Sequence, residues 1–187
     1  MIEELATSTA NQALITLVVE EFQKVNQNYL GRTAIQKICY FAQSLGVPLS
    51  CRYQILHYGP YSEELASEID MLLAVEALKD ISPQRSKYSN FQLGPNAYAL
   101  INGHKAMVER FRPLVAPVAS AFGKLDPQTL ELLSTLHFID RKFKASGMPH
   151  PGKEQVIRRF EEVKKERFAR SIVESAYDSL MQAKLIG

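Results

Sequence analysis

Apolar residues recur at helical spacing along almost the whole 187-residue chain, and one short β-rich segment ending at Gly59-Pro60 interrupts them. This periodicity predicts a mostly α protein. The chain is long enough to bury a substantial core, as one domain or as two small domains packed together. We expect helices over residues 8–25, 34–45, 62–76, 95–112, 115–124, 127–143, 153–165 and 168–184, the first with one buried stripe and the second capped by Thr33.

The β-rich segment and the residues after it change direction abruptly. RYQILHY at 52–58 lacks helical periodicity, and Gly59 and Pro60 then break the chain. Ser62 is suited to cap the next helix, whose first turn carries two glutamates where the helix dipole favours anions. The run HYGPYS at 57–62 therefore predicts a strand, a tight turn and the start of a helix.

Two short strands follow that helix, at residues 78–81 and 91–93. Two helices, a hairpin and a further helix are the order of a winged helix-turn-helix, in which the polar loop at 82–90 is the wing. We therefore predict a mostly α fold with a small β-hairpin wing. Its winged-helix-like unit with flanking helices spans residues 1–112, and a helical C-terminal subdomain at 113–187 packs on it, with one domain overall as the alternative.

Charge is divided unevenly along the chain. Residues 1–83 carry five Lys/Arg against ten Asp/Glu, and residues 84–187 carry seventeen against ten. This asymmetry suits an acidic protein-binding half and a basic nucleic-acid-facing half, although surface charge also varies without functional reason. In a winged helix the helix at 61–76 would enter the major groove, but it holds five acids and no Lys or Arg. It would repel phosphate, which weighs against the standard docking on DNA.

Cations elsewhere could still contact a nucleic acid. The wing offers two cations and a tyrosine, and the segment at 153–170 holds seven cations against four acids. Several of those acids lie three or four residues from a cation, as in an ordinary exposed helix, so a solvated face is the alternative interpretation. The nucleic-acid candidates are Arg85, Lys87, Tyr88, Arg158, Arg159, Lys164, Lys165, Arg167 and Arg170.

The acidic helix beside the Tyr-Gly-Pro-Tyr turn predicts a surface for a protein partner. Aromatic anchors rimmed by charge are a composition suited to such a partner or to a basic segment. Half-buried packing is the alternative role for the two tyrosines. The candidates for this interaction are His57, Tyr58, Tyr61, Glu64 and Glu68.

The sequence lacks the motifs of common enzymes: phosphate-binding loops, the nucleophile elbow, HExxH and paired CxxC. Its four histidines are scattered, with none at the i, i+4 spacing of a helical metal site. His57 is the one residue with a catalytic alternative, beside the simpler role of a hydrogen bond near a strand end. We therefore predict a non-enzymatic protein with no catalytic residues, metal or cofactor.

Two features bear on the compartment. The only cysteines, Cys39 and Cys51, suit an apolar helix position and a strand or loop, which favours a reducing compartment. The longest apolar stretch, at 13–19, is too short to span a membrane, and no basic region precedes it as in a secretory signal. We expect a cytoplasmic protein without membrane association, and the sequence is compatible with a homodimer.

Four runs of the sequence resemble a known family. GRTAIQKICYFAQ at 31–43 and HYGPYSEELASEIDML at 57–72 resemble the helix-then-YGPYS pattern of the uncharacterised bacterial and archaeal YwgA-like proteins. LELLSTLHFIDRKF at 130–143 and the ending AYDSLMQAKLI are similar to the closing helices of that group. The first pattern also resembles the Panacea domain, which includes SocA-like antitoxins. The resemblance implies a winged-helix-like fold and an antitoxin or adaptor role, and it brings no catalytic residues.

Residues and resemblance together predict a regulatory or adaptor protein that binds a protein partner through its winged-helix-like unit. The alternative is a transcriptional regulator or antitoxin-like protein that binds nucleic acid through the wing and the basic C-terminal half.

Overall fold

The computed structural model describes residues 2–26, 30–148 and 151–187, so His150, between the predicted helices at 127–143 and 153–165, lies outside the described residues. The described chain is mostly helical, as predicted, with two small two-stranded sheets. Its helices are α1 (Ile2–Val25), α2 (Arg32–Ser44), α3 (Glu63–Ala74), α4 (Ala97–Gly103), α5 (Lys105–Phe122), α6 (Pro127–Ala145), α7 (Lys153–Lys164) and α8 (Arg170–Gln182). Its strands are β1 (Gln54–Leu56), β2 (Gly59–Tyr61), β3 (Leu78–Asp80) and β4 (Phe91–Leu93).

The chain forms two compact units. The N-terminal unit comprises residues 1–53 and 61–125, and the C-terminal unit comprises residues 54–60 and 126–187. The segment at 54–60, which holds β1 and most of β2, thus packs with helices that lie far along the sequence. The predicted division after residue 112 stays a prediction.

Helix α1 is the central element of the N-terminal unit and packs most extensively on α5. Every residue from Asn11 to Val19 is buried, including Thr16, whose hydroxyl donates to the Gln12 carbonyl oxygen at 2.8 Å. The predicted single buried stripe was therefore wrong. Helices and strand β4 surround α1, so its apolar residues cover all sides, as expected for a helix inside a core.

Two glutamines of helix α2 bind the backbone on either side of the segment at 54–60. The buried Gln36 amide donates to the Ser62 carbonyl oxygen and accepts from the Ser62 N–H, both at 2.9 Å. Two turns later Gln43 makes the same pair of bonds with Cys51, at 2.8 and 3.2 Å. Each glutamine side chain thus pairs with the N–H and carbonyl groups of one extended residue, as a neighbouring strand would. Burial would otherwise leave these backbone groups without a hydrogen bond.

Helix starts were predicted with mixed success. Ser62 caps α3 as expected, with its hydroxyl accepting from the Leu65 N–H at 3.2 Å, and Asp126 caps α6. The prediction that Thr33 caps α2 was wrong, because the helix begins two residues earlier than predicted, at Arg32, with Gly31 as its N-cap and without a side-chain cap. Glycine is tolerated at that position because it leaves the first N–H groups open to water.

The hairpin of β3 and β4 confirms the two predicted strands, with Leu78 opposite Leu93 and Asp80 opposite Phe91. The helices after it differ from prediction, since the break lies at His104 and α5 runs through Pro113 and Pro117. Each proline removes one backbone donor. Packing of α5 against α1 holds the helix together despite that loss.

The two cysteines are free, buried thiols of the N-terminal unit. Burial raises the pKa of Cys51 to about 11 and that of Cys39 well above its ordinary value, so both stay protonated near neutral pH. No helix within the described ranges is both long and apolar enough to cross a membrane.

The C-terminal unit has its own core. Helix α6 presents one apolar face to α7 and α8, and Phe160 meets Phe168 edge to face with ring centroids 5.6 Å apart. Between α7 and α8 the backbone turns at Lys165, which has a positive φ of 51°, and forms a short 3-10 turn over Lys165–Arg167. Lys164 and Arg167 lie on the two sides of the turn at Lys165.

Candidate interaction site

The HYGP turn lies on helix α6 in the C-terminal unit. Gly59 has a φ of +91°, which side chains rarely adopt, and a Cβ there would lie 2.7 Å from the Thr135 Oγ1. Gly59 is therefore required both for the backbone conformation and for the close approach of the turn to α6.

A buried carboxylate beneath the turn organises it. Glu131 on α6 is 2% exposed, and its two oxygens lie 2.8 Å from the Lys164 Nζ and 2.9 Å from the Arg167 Nη2. Lys164, the last residue of α7, is equally buried, whereas Arg167 in the 3-10 turn is 32% exposed. One acid thus holds two cations that come from opposite sides of the turn at Lys165.

The same lysine ties the HYGP turn to this network. Its Nζ donates to the His57 carbonyl oxygen at 2.6 Å and to Glu131 at the same time. Burial lowers the pKa of Lys164, while the hydrogen bond and charge of Glu131 act in the opposite direction. The buried charge is thereby compensated by an opposite charge and a carbonyl oxygen, as a buried ammonium group requires.

Arg167 carries the network to the surface. Its Nη1 lies 3.2 Å from the His57 Nε2, and its guanidinium lies over the Tyr58 ring, 5.0 Å from the centroid. His57 meets Tyr58 edge to face at 4.6 Å, yet Tyr58 remains 54% exposed. We name these three residues, His57, Tyr58 and Arg167, the Tyr58 surface. It consists of an exposed aromatic ring that contacts the His57 ring and the Arg167 guanidinium.

The other predicted interaction residues lie in the N-terminal unit, and two of them are engaged there. Glu64 binds Arg52 at 2.6 Å, and hydrogen bonds from the helix N-terminus, Ser62 and Arg52 lower its pKa to about 2. Glu68 accepts hydrogen bonds from two side-chain amides of α1, at 3.3 and 2.8 Å. Tyr61 is half-buried at the end of β2, where partial burial and the nearby Glu63 raise its pKa.

Most cations of the segment at 153–170 are paired within the C-terminal unit. Arg170 contacts three glutamates at 2.6 to 3.2 Å, Arg159 binds Glu162 at 2.7 Å, and Lys153 binds Asp178 at 2.6 Å. Arg158 and Lys165 have no ion pair among the described residues. The positive charge offered to solvent is thus much smaller than the sequence count suggests.

The wing candidates form an exposed loop in the N-terminal unit. Asp80 anchors the loop by accepting from the N–H groups of Ser82 and Asn90, at 2.9 and 3.0 Å. Arg85 lies in the left-handed region with a φ of 66°, Lys87 is exposed, and Tyr88 is 72% exposed.

Sequence reasoning assigned His57 and Tyr58 to one function and Lys164 and Arg167 to another, and the structure brings all four together. It missed Glu131, the residue that joins them. The available signal was a glutamate within the apolar run TLELL at the start of α6, where a charge between buried leucines requires a partner. No group of His, Cys, Asp or Glu in the described part of the chain could hold a metal ion.

Comparison with known proteins gives one informative match. The chain is 26% identical over 114 residues to "Uncharacterized protein YwgA" of Bacillus subtilis (strain 168). The two chains are distant homologues. The match covers 59% of this chain and 66% of that protein, just under two thirds of its length, and supports the resemblance to the YwgA-like proteins. No protein-family profile matches the chain.

Proposed function

We propose that the protein is a non-enzymatic regulatory or adaptor component that binds a protein partner through the Tyr58 surface. The observation that carries the proposal is an exposed tyrosine whose ring packs against the Arg167 guanidinium, which is itself paired with the buried Glu131. Tyrosine and arginine are enriched among the residues that dominate protein interfaces. A ring that is already held in place loses little conformational entropy when a partner binds.

We further infer that the N-terminal unit is winged-helix-like and related to Panacea domains. The order of α2, α3, the β3–β4 hairpin and α4 supports this inference. The buried free thiols support a reducing compartment such as the cytoplasm.

Site-specific photocrosslinking in the host tests the proposed surface. A photoreactive benzoylphenylalanine replaces Tyr58, and a matched control places it at Tyr98 on α4, which is 56% exposed against 54% for Tyr58. We expect one dominant crosslinked protein from position 58 and not from position 98. In addition, Tyr58→Ala should weaken capture of that protein at least about tenfold, the effect of losing a central interface residue. Equal crosslinking from both positions, or undiminished capture by Tyr58→Ala, would contradict the proposal.

Nucleic-acid binding is the alternative, favoured by the exposed Arg85, Lys87 and Tyr88 of the wing. The ion pairs of the basic C-terminal segment weigh against it, because a paired cation contributes little to counterion release. The test is to measure whether protein purified at low salt carries bound nucleic acid, and to repeat the measurement on a variant with charge reversal at Arg85 and Lys87. Reversal at Lys164 is unsuitable, since it would place two acids together in the core. Release of bound nucleic acid by salt and by the wing reversal would favour this alternative.

A further inference from the structure

A groove on the C-terminal unit is separate from the Tyr58 surface. It encloses about 350 Å³ between α6, α7 and strand β1, within the range of small-molecule sites. Its apolar walls are Ile55, Phe138, Ile139, Phe143 and Val163.

Both charged residues that line the groove, among those that the structure describes, are cations, which favour a negatively charged ligand. Lys142 of α6 and Arg159 of α7 line it together with Ser146, and no acidic residue is among the described residues that line it. The Lys142 Nζ lies 5.4 Å from the centroid of the Phe138 ring. Arg159 binds Glu162, and about half of each of these two side chains remains exposed. The two cations come from different helices and border the same apolar walls.

We propose that this groove binds a small amphipathic anion, an apolar body that carries one acid group such as a carboxylate. The walls would bury the apolar body, whose transfer from water is the main source of affinity. Lys142 would bind the acid group together with Arg159. Because Glu162 binds Arg159 through Nη1, the Nη2 and Nε groups could contact both oxygens of a carboxylate. The size of the groove matches a small molecule, and the absence of acids among its described lining residues selects against a cationic or zwitterionic one.

Two fluorescent probes with the same apolar body test the proposal on the full chain. 8-Anilinonaphthalene-1-sulfonate carries one acid group, and N-phenyl-1-naphthylamine lacks it. We expect saturable 1:1 binding of the sulfonate, tighter than that of the neutral probe, and displacement of the sulfonate by octanoate. Lys142→Gln with Arg159→Gln should weaken sulfonate binding about tenfold and change binding of the neutral probe less than about twofold.

The neighbouring cations supply a matched control. Arg141 and Arg158 lie next to Lys142 and Arg159 on the same helices, are exposed, and do not line the groove. Arg141→Gln with Arg158→Gln removes the same net charge and should leave both probes unaffected. Ser146→Phe fills the groove from an exposed position at the end of α6 and should abolish binding of both probes, with circular dichroism as the check on folding.

Four results would overturn the proposal. These are equal affinity of the two probes for the unaltered protein, equal weakening by the control pair, binding that survives Ser146→Phe, and failure of octanoate to displace the sulfonate. Since none of these measurements involves Tyr58 or a protein partner, they leave the proposed function untouched.

Discussion

Replacing Glu131 by glutamine tests the network beneath the Tyr58 surface. The change leaves Lys164, 2% exposed, without its counter-charge and frees Arg167 to move into solvent. Breaking a buried ion pair by removing one partner costs about 3–5 kcal/mol, because the remaining charge is buried without compensation. We therefore expect the free energy of unfolding to fall by about 3 kcal/mol or more, which is a large share of the stability of a small protein.

The complementary variant, Lys164→Met, should cost less. Glu131 would keep its contact with Arg167 at 2.9 Å, and the main loss would be the donor to the His57 carbonyl oxygen. Leaving that acceptor unpaired costs about 1–3 kcal/mol. The double variant should cost less than the sum of the single changes, since the two residues interact directly.

Urea unfolding followed by circular dichroism measures these changes, because the chain has no tryptophan to report by fluorescence. Hydrogen exchange assigns the loss to the C-terminal unit if α6 and residues 54–60 lose protection first. A cost below about 1 kcal/mol for Glu131→Gln, or a greater cost for Lys164→Met, would refute the assignment of Glu131 as the central ion of the network.

The pH dependence of Glu131→Gln provides an independent check. The pKa of Lys164 is already lowered by burial from its ordinary value of 10.5, and removal of the carboxylate lowers it further. The folded state then binds fewer protons than the unfolded state between the folded pKa and 10.5, so stability rises with pH across that window. The deficit of the variant should shrink towards pH 10, by at most about 1.4 kcal/mol per pH unit. A deficit independent of pH would contradict this reasoning.

Three further outcomes are expected. Gly59→Ala should lower the free energy of unfolding by about 1–2 kcal/mol or more, because Gly59 has a φ of +91°. The control Gly103→Ala should not destabilise the protein, since no atom lies within 4 Å of the added Cβ. Thermal unfolding measures both variants. His137 should stay neutral at pH 5 by NMR, since burial lowers its pKa to about 4. Below pH 6.5 the unfolded state binds a proton that the folded state does not, so the contribution of His137 to stability is lost as the pH falls from 6.5 towards 4. The Glu64 carboxyl should titrate at about 2 by NMR, and Arg52→Gln should raise that pKa, whereas no change would show that the contact is absent in solution.

Local signals predicted the secondary structure where neighbouring residues determine it. Ser62 and Asp126 cap their helices because the bonds they accept come from N–H groups two or three residues away. The predicted break between the helices at 95–112 and 115–124 was wrong, because packing of α5 on α1 depends on residues nearly a hundred positions apart, and the sequence around Pro113 carries no sign of it. The same holds for Gly59, whose neighbour Thr135 is far along the chain.

The candidate site was predictable in its parts and not in its assembly. The sequence indicates a change of direction at HYGP, but the turn itself lies at His57 and Tyr58, and Gly59 and Pro60 begin strand β2. Gln36 and Gln43 bind the backbone of Ser62 and Cys51, after and before this segment. Those glutamines look like ordinary polar helix residues in the sequence. Their role appears only when the backbone partners are known.

A count of charged residues overstates the cations that are available to a ligand, for a physical reason. A count of Lys and Arg treats every cation as available to a ligand, whereas Arg170 alone is surrounded by Glu154, Glu161 and Glu174. Exposed pairs of this kind contribute little to stability, but they still lower the potential that a phosphate backbone would meet. The cations that matter most for the proposed functions are few: Arg167 beside Tyr58, and Lys142 and Arg159 beside the apolar groove. What distinguishes them is an adjoining aromatic or apolar surface that a ligand can cover, and this is a property of the fold.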